Sequence, residues 1–487
     1  MSTEDDSRMK NDRNDDERDA RYWDNLLDRA AEDAELAEAS DSEVRYEFGD
    51  DDELDFEDEL DFEEAIKEWR DAAETGDSAA MFNLGVCYMR GWGVEQSWEE
   101  AVKWQRRAAE AGESTAMFNL ALCYENGDGV EQNLEEATIW YRRAYEAGES
   151  AAAIRLALCY EEGVGVEQSL EEAIKWYRRA AEGGQSAAAL KLALCYENGF
   201  GIDQSWEEAV KWYRRAAEAG ESTAMFYLAL CYENGDGVEQ NCEEAVKWYR
   251  QAAEGGNSDA LFFLGNCYFN GRGVAQDYAE AVNLFFQGAE AGDSGAAFSL
   301  GLCYERGYGV ERNCEEAVKW YRQAVEGGNS AALFFLGNCF LNGRGVAQDY
   351  AEAVNLFRQG SEAGDPKATS LLAGCYQVGL GVELDYAEAA RLYRQAAEAG
   401  DGYAMNNLGD CYETGKGVER NMEEAIAWYR RAAEAGLSFA LFSLGECYEN
   451  GRGVERNLEE AIKLYRQAAA EGEEEAKAAL ERLGEEL

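Results

Sequence analysis

Two patterns of apolar and polar positions alternate along most of this chain. The first reads A-x-x-x-L-x-x-C-Y, as in Ala116, Leu120, Cys123 and Tyr124, and puts apolar residues at i, i+4, i+7 and i+8. That spacing predicts one apolar stripe on a helix, called helix A below. The second reads E-E-A-x-x-W-Y-R-x-A-A-E-x-G, with Ala173, Trp176, Tyr177 and Ala180 on its stripe, and predicts helix B. Between A and B stands an N-G-x-G segment, where glycine supplies the left-handed conformation that ends a helix. A column of Ser, Asn or Asp then precedes helix B, from Ser97 and Asn133 to Asn457, each with a Glu three residues later. Read locally, that is a repeated capping box.

The alternation has a period of 36 residues. Cys87, Cys123, Cys159 and so on to Cys447 form eleven cysteines in register without one insertion, and the loop glycines keep step from Gly91 and Gly93 to Gly451 and Gly453. A fixed period in this range decides the architecture and overrides the two to four ordinary domains that 487 residues would suggest. An extra helix B, "DFEEAIKEWRDAAETG", precedes the first helix A. The segment "EEEAKAALERLG" after Gly472 keeps the A pattern through Ala476 and Leu480 without the Cys-Tyr pair. Atypical end units of this kind close the open faces of a solenoid. The expected organisation is an acidic, largely disordered segment over residues 1–60 with a short helix at 20–38, a repeat solenoid over 61–472, and a capping helix over 473–487. Residues 1–60 carry 25 acids against 7 bases.

The combination L-G/A-x-C-Y-x-x-G-x-G-V, then D/N-x-x-E-A, then W-Y-R-x-A-A-E-x-G resembles the Sel1-like repeat, a relative of the tetratricopeptide repeat, over roughly residues 61 to 487. The resemblance implies an all-α, right-handed superhelical solenoid of 36-residue antiparallel helix pairs, about eleven repeats plus terminal caps. It also implies a protein-binding adaptor or scaffold. A cysteine-rich branch of that family, associated with penicillin binding and weak β-lactamase activity, carries two cysteines seven apart in each repeat; this chain has one per repeat.

Composition narrows the chemistry. A formal charge of -54, from 99 acidic and 45 basic residues, disfavours nucleic acid and anionic lipid, and makes a charged partner basic or divalent. There is no histidine, so a catalytic proposal would rest on carboxylate, thiol, Tyr or Lys. The N-terminal stretch "MSTEDDSRMKNDRNDDERDA" has no apolar core of a signal peptide, and no run of apolar residues suits a membrane span. The expected location is the cytoplasm. One proline against 50 glycines points to a mostly helical chain with glycine turns.

The conspicuous residues have architectural readings. Eleven of the thirteen cysteines lie on the stripe of helix A, and equivalent positions in stacked helices are roughly 8 to 10 Å or more apart, too far to bridge. They are expected to be free and buried, which suits a reducing compartment. Cys242 and Cys314 take a column otherwise held by Trp, Leu, Tyr or Met. The stretch "CYENGDGVEQNLEEA" comes close to a calcium loop through Asn126, Asp128, Gly129 and Glu135, but its first ligand position is Tyr124. The G-x-G-V segment lacks the strand and the G-K-[ST] ending of a phosphate cradle. No cofactor or metal is expected.

Function is then sought where copies differ. The position before the invariant Leu of helix A reads Asn83, Asn119, Arg155, Lys191, Tyr227, Phe263, Ser299, Phe335, Leu371, Asn407 and Ser443, and it lies off the predicted buried stripe. Asn266 and Asn338 follow one turn later, and Phe269 and Leu341 replace a common Glu. The candidate partner-binding residues are therefore Arg155, Lys191, Tyr227, Phe263, Asn266, Phe269, Phe335, Asn338, Leu341 and Leu371, forming an apolar strip with amides on the concave surface. Two rivals stand beside this reading: a hydrolase of the cysteine-rich branch, and an acidic salt-adapted or cation-binding protein.

Overall fold

The computed structural model describes residues 59–485, with side chains from 65 onward. The expected helix at 20–38 and nearly all of the acidic segment lie outside the described residues. Among the described residues there are 24 helices and no strand. They alternate as predicted, for example Ser114–Asn126 as an A helix and Leu134–Glu146 as the following B helix. The additional B helix at the start is Glu59–Glu74, and the final A-type helix is Glu474–Leu483. The described residues form two compact units that divide between residues 260 and 261, inside the helix Ser258–Asn270. In each unit, consecutive helices pack against one another in chain order.

The connection between A and B is built by two glycines with different duties. Gly127 caps its helix at φ 82, and its N–H and that of Asp128 both donate to Cys123 O, at 2.9 and 3.0 Å. The second glycine is needed for proximity. A Cβ on Gly129 would fall 2.2 Å from Trp98 O on the preceding B helix, so the loop lies directly on that helix's first turn. The side chain of Gln132 then reaches back to donate to Glu125 O at 2.8 Å, and the same bond recurs from Gln168, Gln204 and Gln348, with Arg312 and Arg420 substituting. Orphan carbonyls at the end of helix A are thus satisfied in every repeat where this bond forms.

The cap of helix B is half of the expected box. Asn133 Oδ1 accepts from Glu136 N at 3.1 Å, as a capping residue should. The N–H of Asn133, however, donates to Tyr124 O at 2.9 Å instead of to the Glu136 carboxylate. The freed glutamate pairs along its own helix where a lysine follows, as in Glu172 with Lys175 at 2.7 Å; Glu171 also reaches Lys175 at 3.0 Å. These pairs are exposed and contribute little to stability.

The core is a column of tyrosines on helix B, each lying against a small residue of helix A. Tyr141, Tyr177, Tyr213 and Tyr249 in the first unit, and Tyr321, Tyr429 and Tyr465 in the second, are fully buried. A Cβ on Gly301 would come 2.6 Å from the Tyr321 ring, so this repeat takes Gly where others of the column take Ala. Each phenol donates to a carboxylate sixteen residues earlier on helix A. Tyr249 reaches Glu233 at 2.6 Å, Tyr321 reaches Glu305 at 2.7 Å and Tyr465 reaches Glu449 at 2.8 Å; Tyr141, Tyr177 and Tyr213 pair likewise with Glu125, Glu161 and Glu197. A buried hydroxyl is satisfied and a carboxylate is anchored by one bond.

In the first unit, burial pushes Glu197 up to about 7 from an ordinary 4.5; Tyr213 donation opposes this and Asp236 adds to it. A carboxyl raised in the folded state is most compatible with folding when protonated. The contribution of this group to the unit's stability should therefore be fully present below pH 4.5 and be lost as pH rises through 7, an increment of about 1 to 3 kcal/mol. Glu197→Gln should remove that increment when urea denaturation at pH 5 is compared with pH 8. The pair survives with Gln, because Tyr393 donates to Gln377 Oε1 at 2.6 Å in the second unit. An unchanged pH dependence in the variant would contradict the assignment.

Candidate functional site

Within a unit, the residue before the invariant Leu of an A helix lies against the B helix of the preceding repeat, as Tyr227 does on Tyr213 and Phe335 beside Tyr321, and this decides its burial. In the first unit the column is largely absorbed into packing. Tyr227 is 3% exposed and stacks on Tyr213, with ring centroids 5.3 Å apart and planes at 15°. Lys191 is 8% exposed and Asn119 is 1% exposed. Arg155 is half-buried, close enough to Tyr141 to lower its pKa, against the stronger upward push of burial and Glu125. The expectation that this column lies off the buried stripe is therefore corrected at Asn119, Lys191 and Tyr227. The stripe is wider than one helix implies, because a neighbouring repeat covers its flank.

In the second unit the same column stays half-buried. Phe263 meets Phe262 edge-on at 5.4 Å. Phe335 is half-buried and lies 5.2 Å from both Phe298 and Phe334 and 5.7 Å from Tyr321. Leu371 is half-buried against the same core. One turn on, Asn266 and Asn338 are half-buried; Asn338 Nδ2 donates to Phe334 O at 3.1 Å, and Asn266 O accepts from Asn270 Nδ2 at 3.0 Å.

Phe269 and Leu341 have a structural reason that single-column reading missed. Where helix A carries them in place of Glu, helix B carries Phe285 and Phe357 in place of Tyr, so hydroxyl and carboxylate are lost together. Met89 opposite Gln105 is a third departure from the pair. The signal was available as covariation at a spacing of sixteen. At the loop edge, Phe269 joins Tyr278 at 5.0 Å and Tyr308 at 5.5 Å, and the two tyrosines stack at 5.3 Å. Tyr308 remains 40% exposed.

The thiols are all free, and eleven of them form the A-helix column. Ten of these are buried and Cys195 is half-buried; Cys242 and Cys314, outside the column, are half-buried too. Burial pushes Cys87, Cys123, Cys195, Cys303 and Cys339 up to about 12, far from the range of a reactive thiolate. Among the described residues, no group of three or more Cys, Asp or Glu is placed to hold a metal ion, and no helix is long and apolar enough to cross a membrane. What the arrangement offers chemically is a helical face with aromatic edges, amides and carboxylates.

Comparison with known proteins fits this geometry. The Sel1 repeat family model matches eleven consecutive units, from residues 78–113 through 438–473. A protective antigen of uropathogenic Escherichia coli displaying an SLR fold is similar at 35% identity over 86% of this chain and 90% of that chain, with a TM-score of 0.80. A Sel1 repeat protein from Oxalobacter formigenes is similar at 30% identity over 66% of this chain and 94% of that chain, with a TM-score of 0.53. The cysteine rich protein B of Helicobacter pylori aligns over 26% of this chain and 92% of its own at 25% identity, with a TM-score of 0.23. No curated protein sequence matches the chain. With eleven repeats in register and the fold they prescribe, the chain belongs to the Sel1-repeat family.

Proposed function

We propose that this protein is a cytoplasmic binding adaptor that holds a partner protein or peptide along its A helices and performs no chemistry of its own. Repeat solenoids commonly serve protein–protein interaction, because stacked copies present extended surfaces. One observation carries the reading: in the second unit, the column before the invariant Leu and the column three residues on are both half-buried, and both change chemistry from helix to helix. In the second unit Phe263, Phe335 and Leu371 supply apolar edges. Asn266 and Asn338 place amides in a column that reads Val86, Leu122, Leu158, Leu194 and Leu230 in the first unit. Aromatic anchors beside hydrogen-bonding groups suit an extended or helical segment. Phe269 and Leu341 border this surface. In the first unit Arg155 retains accessible surface, whereas Lys191 and Tyr227 serve packing. The acidic segment over residues 1–60 favours encounter with basic partners.

The test exploits the repeat itself. Asn266→Leu with Asn338→Leu installs the residue that this column already tolerates elsewhere, so the thermal midpoint should move by no more than about 4 °C. Capture of a partner from lysate, quantified by mass spectrometry, should fall at least tenfold. Undiminished capture by the folded variant would place the partner elsewhere.

A further inference from the structure

The A-helix column one residue before the cysteine changes character within the second unit. It reads Asn266, Leu302, Asn338, Gly374, Asp410 and Glu446. One turn earlier the column reads Phe262, Phe298 and Phe334, then Ser370, Asn406 and Phe442. On the two neighbouring helices Pro366–Val378 and Gly402–Thr414, the aromatic and the leucine are therefore lost together. In an ordinary repeat of this unit the Phe298 ring lies 6.0 Å from Tyr321. Ser370 brings no ring to Tyr393, and a Cβ on Gly374 would meet only the Tyr393 hydroxyl, at 3.6 Å. The result is a shallow notch floored by that hydroxyl, which donates to Gln377.

Acceptors crowd the far side of the notch. Asp410 Oδ1 and Glu413 Oε2 share the Tyr429 hydroxyl at 2.6 and 2.8 Å. Arg452 pairs with Glu413 and, at 3.2 Å, with Glu446. One guanidinium thus serves two of the three carboxylates and none of its nitrogens reaches Asp410, while Lys416 is turned to the Tyr386 ring, 5.5 Å from its centroid. Burial raises the Asp410 pKa, and Glu413 and Glu446 raise it further, against Tyr429 donation and Lys416. Asn406, one turn before Asp410 on the same stripe, is 3% exposed and its Oδ1 has no donor. Burial chiefly raises the Tyr393 hydroxyl, and Asp410 adds to it after Cys411 and Cys375, which places the Asp410 charge near the notch. An excess of acceptors, a desolvated carboxylate and a missing side chain all ask for the same thing, a donor-rich cation on an alkyl stem.

We propose that this face takes a lysine or arginine side chain of the bound protein, its stem over Gly374 and Leu371 and its charge against Asp410 and Glu446. This rests on the reading of the A-helix face as the partner surface. A long cationic side chain fits better than a metal ion, because Tyr429 and Arg452 hold the carboxylates on separate donors. The stem covers apolar surface while the head stays among polar groups.

Four fluorescein-labelled eleven-residue peptides test this with the full-length chain, differing only in a central Arg, Lys, norleucine or Glu within an Ala-Leu host. At about 0.15 M salt, where long-range attraction to the acidic chain is screened, fluorescence anisotropy should show the Arg and Lys peptides binding at least tenfold tighter than the norleucine peptide. Gly374→Leu, which fills the notch, and Asp410→Leu, which removes the charge, should each reduce that preference to less than threefold. Both install the leucine that Leu302 already carries at this position, so the fold is retained. Equal or undetectable binding of all four peptides, or a preference that survives both substitutions, overturns the proposal. The broader reading fails separately, if the Asn266→Leu, Asn338→Leu variant still captures its partner.

Discussion

Replacing Gly309 by alanine is expected to destabilise the second unit by about 3 to 5 kcal/mol, several times the cost of the same change at Gly292. Both glycines adopt positive φ, +68° and +96°, so both alanine variants carry backbone strain, about 1 to 2 kcal/mol. They differ in what surrounds them. A Cβ at Gly292 meets nothing within 4 Å, whereas one at Gly309 would lie 2.2 Å from Tyr278 O and 2.4 Å from Tyr278 C. Those are backbone atoms in the first turn of a B helix and cannot swing aside. Relief requires lifting the loop, which also parts the stacked rings of Tyr278 and Tyr308. Urea denaturation followed by circular dichroism gives both values, and similar losses for the two variants would refute the close-approach argument. The same contact recurs at Gly345 against Cys314 O and at Gly381 against Tyr350 O, so the result should transfer along the unit.

What could be read in the chain, and what could not, divides by range. The helix stripes, the Gly127-type cap and the Asn133-type cap depend on residues a few positions apart, and the repeat multiplies each signal eleven times. Burial of the column containing Lys191 and Tyr227 depends on the preceding repeat, whose tyrosines fill the space that a single helical wheel assigns to solvent. The missing half of the capping box has a similar origin. The Asn133 N–H is nine residues from Tyr124, and only the completed loop brings the two within bonding distance. The candidate strip was legible as a set of variable positions, but Phe269 and Leu341 took their meaning from partners sixteen residues away. The polar notch around Gly374 required both: the sequence marks a departure from leucine, and the surrounding carboxylates and hydroxyls give it a charge.

Breaking one side of the phenol–carboxylate pair should be costly, and breaking both should be cheap. Glu305→Leu leaves the Tyr321 hydroxyl buried with its 2.7 Å acceptor gone, and is expected to cost about 2 to 3 kcal/mol. Tyr321→Phe alone removes the donor to the half-buried Glu305 carboxylate instead, at about 1 to 3 kcal/mol. The double variant recreates the combination already present as Leu341 with Phe357, and should recover at least about 1.5 kcal/mol relative to the sum of the single changes. The converse cycle is the stronger test. Leu341→Glu places a carboxylate against the fully buried Phe357 ring with no phenol to donate to it, so it should cost about as much as the stranded Glu305, about 1 to 3 kcal/mol, and Phe357→Tyr added to it should restore most of the loss. Additive effects in both cycles, measured by urea denaturation, would mean that the two columns vary independently. In that case Phe269 and Leu341 would need another explanation, and selection by a bound partner would become the first one to test.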